Sequence, residues 1–191
     1  MSTEHSKAQD VVTASSIMRP TGADSARAGG VYSVECRDAA GNLKWADTFH
    51  NLVVNQGLQD MNSKYFSGSG YSAAWYLGLV TGPGSGTSFA AADTLASHAG
   101  WTENTAYTGN RKAVTFGTAT TADPSVITNS AAPSTFTMNA NAQTIAGAFL
   151  CSVDSGTSGV LFSAGDFTGG DKIVDSGDTL SVTYTFSLDA A

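Results

Sequence analysis

From Val31 onward, apolar and polar positions alternate with a period of two, the spacing at which successive side chains of a β-strand point to opposite faces. The last such run is the clearest. Leu180, Val182, Tyr184, Phe186 and Leu188 share one face, and Thr179, Ser181, Thr183, Thr185 and Ser187 share the other. Shorter runs of the same kind occupy Val31 to Arg37, Lys112 to Phe116, Ser134 to Met138 and Val160 to Ser163. Two segments are apolar on both faces, Ala74 to Gly82 and Ala142 to Val153, and these predict strands covered on both sides near the middle of a sheet. His50 to Met61 reads as the end of a strand followed by one short helix through Leu58 and Met61, with Asn55 as its side-chain cap. Asp38-Ala-Ala-Gly41-Asn42 predicts a hairpin turn, and Gly82 to Gly86 ends the Trp75 strand. Thr87 to Asn110 has weak periodicity and predicts a long loop with a helical turn near Asp93 to Ala96. Many short strands separated by turns, with no alternation of strands and helices, predict an all-β antiparallel sandwich of jelly-roll type over residues 29–191.

Residues 1–28 break this pattern. They hold no aromatic residue, and their apolar positions are scattered until the Gly29-Gly30 break. So little apolar surface cannot offset the entropy of ordering a chain, and the segment predicts an extended N-terminal arm. Val11, Val12, Ile17 and Met18 are its candidate anchors, either on the arm's own domain or on a neighbouring subunit.

Composition supports the strand reading. Charged residues make up 13% of the 191, Ser and Thr together number 46, and there are 21 Gly. Hydroxyl side chains suit the exposed face of strands, and glycine supplies turn conformations with positive φ. The formal net charge is −7 and is unevenly spread: seven acids face the single base Lys172 between residues 113 and 191. That half would repel phosphate, which argues against a nucleic-acid partner and for acidic loops that keep the protein soluble. No run approaches the roughly 20 apolar residues of a membrane span, and no secretory signal is visible, so a soluble protein without a membrane partner is expected. Cys36 and Cys151 each sit in an alternating apolar run and read as two buried thiols rather than a disulfide.

Motifs that carry chemistry are weak throughout. Gly82 to Ser88 looks like a phosphate loop but lacks the necessary lysine. Three dispersed histidines, His5, His50 and His98, and two lone cysteines form no zinc set. Ser97, His98 and Glu103 are neighbours in a loop without the architecture of a catalytic triad. Asp166, Asp171, Asp175 and Asp178 lack the spacing of a calcium loop, and Asp175 to Asp178 reads as a turn. No catalytic residue, metal ligand or cofactor is therefore expected. The remaining cluster is Trp101, Glu103, Tyr107, Asn110 and Arg111. Trp101, Tyr107 and Arg111 can be a partner-contact loop, or the two rings can close one end of the sandwich with Glu103 and Arg111 paired across the loop.

The order of strand, short helix, buried Trp75 strand and the loop Trp101-Thr-Glu103…Tyr107…Asn110-Arg111 resembles small virion proteins of tailed bacteriophages, over about Val31 to Leu188. The resemblance implies a non-enzymatic structural role in the virion, assembled in the host cytoplasm. In the first form it implies, the chain is a capsid decoration (cement) protein that binds and stabilises the shell of major capsid protein and associates with itself as a homo-oligomer. In the second it is a tail-fibre or tail-associated module that binds a receptor or carbohydrate, with Trp101 and Tyr107 as a stacking platform.

Overall fold

The computed structural model describes residues 26–68, 70–81 and 87–190. In chain order the elements are β1 (Ala26–Arg37), β2 (Leu43–His50), β3 (Leu52–Val53), α1 (Asn55–Phe66), β4 (Tyr76–Thr81), β5 (Thr102–Asn104), β6 (Lys112–Ala113), β7 (Ser125–Thr128), β8 (Ser134–Thr137), β9 (Gln143–Ile145), β10 (Gly147–Cys151), β11 (Leu161–Asp166), β12 (Lys172–Val174) and β13 (Thr179–Ala190). All pairings are antiparallel. One sheet, here sheet A, runs β2-β1-β13-β7, with β8 also on β13; a second, sheet B, runs β3-β11-β10-β4-β5, with β6 also on β4; β12 and β9 form a small two-stranded sheet. The described residues form the expected all-β sandwich with one helix.

The alternation of β13 translates directly into packing. Leu180, Val182 and Tyr184 are buried and meet Tyr32, Val34 and Cys36 of β1 on the same inner face. Opposite them Leu77, Leu79, Ala148, Leu150 and Phe162 line the inner face of sheet B. The apolar face then runs past the core: Phe186 is half-buried and Leu188 is exposed.

Sheet B carries a second core on its other face, as the two-sided apolar pattern of the Trp75 strand requires. Val80, Phe149, Cys151, Leu161 and Ala164 pack there beneath Val54, Leu95 and Trp101. The cover is the loop from Thr87 to Trp101. It contains no helical turn near Asp93; instead Thr94 and Ser97 exchange backbone hydrogen bonds in a tight bridge, and the Asp93 carboxylate accepts the Ala90 N–H and the Trp101 indole N–H.

Three further boundaries differ from the sequence pattern. The Gly29-Gly30 pair lies inside β1, whose residues Ala26 to Ala28 pair with Ala190 to Leu188, so the strand begins before residue 29. A side chain at Gly30 would collide with the Tyr184 ring, its Cβ falling 2.6 Å from the hydroxyl, and this packing rather than a break explains the glycine. The run Ala142 to Val153 divides into β9, paired with β12, and β10, paired with β11 and β4. The division falls where Gly147 passes so close to the Gly165 carbonyl that no side chain fits. Finally, Val54 rather than Asn55 is the N-cap of α1; no side chain caps the helix, and the Asn55 N–H donates to the Ala91 carbonyl of the covering loop.

The predicted hairpin turn is present. Asp38 accepts hydrogen bonds from the Ala40 and Asn42 backbone and from the Asn42 amide, which hold its carboxyl below the usual range, and Gly41 takes φ 87°. Both cysteines are free and buried. Cys36 belongs to the core between the sheets and Cys151 to the core beyond sheet B, so a sheet separates them. Burial pushes the Cys36 thiol up to about 11. Dithiothreitol should therefore leave the melting temperature unchanged, and a drop in a calorimetric scan would reveal a disulfide.

Candidate functional site

The strongest candidate in the described surface is an apolar groove where sheet A outruns the sandwich. β2 ends at His50, opposite Val31, whereas β1 and β13 continue together as far as Ala26 and Ala190. On the inner face of this overhang β1 presents only Ala26, Ala28 and Gly30, beside the larger Phe186 and Leu188 of β13 and Ile127 of β7. The Tyr184 ring fills the space at Gly30, and beyond it the small Ala26 and Ala28 side chains leave room. The opposite wall is α1 and the segment that follows it.

The helix is held against sheet B by Gly57, whose absent Cβ would fall 2.5 Å from the Phe162 carbonyl oxygen, and by Gln56, whose side chain accepts the Leu161 N–H. This docking turns Met61 toward the core and leaves Tyr65 and Phe66 at the C-terminal end 84% and 78% exposed. Their rings meet edge to face at 4.9 Å. Beyond them the Trp75 indole donates to the Tyr71 hydroxyl at 2.9 Å, and Lys64 lies over the Tyr71 ring. Burial, then the charge of Asp60, raises the Tyr71 phenol above its ordinary value. Trp75 lines the groove, and edge-to-face contacts continue inward from its ring to Phe162 and on to Phe186. The groove has a volume of about 740 Å³, lies within the size range of ligand sites, and is almost wholly apolar. A second hollow of about 200 Å³ extends it inward over Tyr184 and Phe116.

These residues escaped the sequence pattern. Leu58, Met61 and Tyr65 follow helical spacing, but the pattern gives no sign that Tyr65 and Phe66 face outward at the helix end. The available signal was an aromatic pair directly before the Ser/Gly-rich stretch from Ser67.

The other predicted cluster is assembled but internal. Trp101 is 2%, Tyr107 3% and Arg111 7% exposed. The Trp101 indole sits between Phe89, Phe149 and His98, with the His98 ring flat upon it at 3.8 Å. Arg111 donates Nε and Nη2 to the two carboxylate oxygens of Glu103 at 2.8 and 2.7 Å, donates Nη1 to the Val153 carbonyl, and lies over the Phe149 ring. The Tyr107 hydroxyl reaches the same Glu103 carboxylate, and burial raises this phenol well above its ordinary value. Of the two readings of this loop, the internal one matches in its Glu103–Arg111 pair and its buried rings, but the rings do not share one end of the sandwich: Tyr107 packs in the core between the sheets and Trp101 in the second core beyond sheet B. The three side chains are spent inside the protein and present no contact surface. Val11, Val12, Ile17 and Met18 lie outside the described residues.

The C-terminal acids are dispersed. Asp178 and Asp175 pair with Lys44 at 2.5 and 3.7 Å, while Asp166 is raised by burial and by the neighbouring charge of Asp171. Among the described residues no group of three or more His, Cys, Asp or Glu gathers to hold a metal, and no helix is long and apolar enough to cross a membrane. No family model, curated protein or solved structure matches this chain.

Proposed function

We propose that the protein is a non-enzymatic virion structural protein of the capsid-decoration type, which associates with copies of itself and with a shell of major capsid protein. The observation that carries this reading is the pair Tyr65 and Phe66, two large rings standing almost fully in solvent at the mouth of an apolar groove. Clustered exposed apolar surface of this kind marks a contact site, and aromatic side chains anchor such contacts at low entropic cost. The resemblance to small virion proteins of tailed bacteriophages supports the choice of partner. Repetition over a symmetric lattice supports the choice of mechanism, since many modest contacts then act together. A carbohydrate-binding tail module stacking sugars on Trp101 and Tyr107 draws no support from those rings, which are buried.

The test is binding to decoration-free particles. The double variant Tyr65→Ser, Phe66→Ser should keep the parent melting temperature, because both rings are exposed, and should bind about 10- to 100-fold more weakly. Undiminished occupancy at limiting concentration would remove the rings from the interface. Copy number on saturated particles, hundreds against a handful, separates shell from tail.

A further inference from the structure

We propose that the groove floor is the seat of this chain's own N-terminal segment, with Ile17 and Met18 placed between the overhang of sheet A and α1. This goes beyond the reading above and does not depend on it.

The first argument is connectivity. Ala26, the first residue of β1, itself lines the groove, so the chain that precedes it leaves from the groove wall. Met18 lies eight residues upstream of Ala26, a reach of about 26 Å when extended. The intervening Pro20-Thr-Gly22 is turn-forming and suits a chain that reverses onto its own domain.

The second argument is fit. The groove offers the Met61, Trp75, Ile127 and Leu188 side chains and scarcely any polar surface, and the only β1 side chain among its lining residues is the small Ala26. Ile17-Met18 is an adjacent apolar pair in an otherwise polar stretch, and methionine adapts to irregular aromatic-lined space. Charge agrees with this placement. Asp60 stands at the groove rim with no ion-pair partner among the described residues, while Lys64 is engaged over the Tyr71 ring. Arg19, directly after Met18, supplies the complementary cation. A segment tethered this closely has an effective concentration in the millimolar range, which favours the chain's own segment over that of a second copy.

The full-length protein carries four methionines and is suited to methyl NMR with ¹³C-methyl methionine. The Met18 signal, assigned by its loss in Met18→Leu, should lie upfield of its random-coil position under the rings of Trp75 and Tyr71 and show cross-peaks to them. A coil-position signal without cross-peaks would overturn the proposal. So would cross-peaks found only between labelled and unlabelled chains in a mixed sample, which would make a second copy the occupant. As an independent readout, the full-length double variant Ile17→Ser, Met18→Ser should bind anilinonaphthalene sulfonate about twofold or more above the parent, as exposed apolar surface does. Equal dye binding would count against the seat.

Discussion

Tyr184→Asp should abolish soluble folding, whereas Thr183→Asp, one residue away on the opposite face of the same strand, should change stability by no more than about 1 kcal/mol. The asymmetry follows from what each side chain meets. Tyr184 is fully buried; its ring packs on Tyr32 at 4.7 Å, and its hydroxyl accepts the Asn51 amide at 2.9 Å and joins the Ser163 hydroxyl, which is itself bonded to Tyr32. A carboxylate there loses the ring contacts and strands a charge among Tyr32, Phe116, Asn51 and Ser163, none of which is a cation. Thr183 lies opposite Ser33 on the half-exposed outer face. Soluble yield and urea melts of the two variants measure the difference, and similar behaviour would mean the two faces of β13 are not distinct.

Breaking the Glu103–Arg111 pair is the second large effect. The Arg111 side chain is 4% exposed and that of Glu103 21% exposed, so removing one partner leaves the other charge desolvated and uncompensated. Glu103→Leu and Arg111→Met should each cost about 3–5 kcal/mol, and the double variant should cost clearly less than their sum, because no orphan charge then remains. Equilibrium denaturation of the four proteins completes the cycle. Single-variant costs below about 1 kcal/mol would show the pair to be solvated in practice.

The contrast between these two sites marks how far residue pattern reaches. The faces of β13 and the two-sided burial of the Trp75 strand are local facts, carried by a period of two, and both were readable. The Asp38 to Asn42 turn was readable as well, since Asp38 closes it with its own side chain. The features that were not readable depend on partners remote in sequence. The division between β9 and β10 falls at the close approach of Gly147 to Gly165, and the Asn55 N–H at the start of α1 is satisfied by the Ala91 carbonyl. The Trp101 loop offered two readings because the pattern shows an aromatic residue but not the second core that buries it. Tyr65 and Phe66 were missed for the converse reason: a run of apolar residues predicts burial, and nothing local announces that an open groove lies beside them.

The position of β13 also fixes the order in which the molecule can come into being. β13 is the last described strand, yet it is the spine of sheet A, flanked by β1 on one side and by β7 and β8 on the other. β1, the first described strand, must find partners as distant as Ala190, a ladder of high contact order whose closure is slow. During synthesis the β1–β2 hairpin emerges well before β13 and carries Tyr32, Val34 and Cys36 exposed until β13 leaves the ribosome. A chain interrupted anywhere before Thr179 therefore lacks the spine of one whole sheet, and the cell meets it as an unfinished sandwich with an open apolar face, a substrate for chaperones and proteases rather than for assembly.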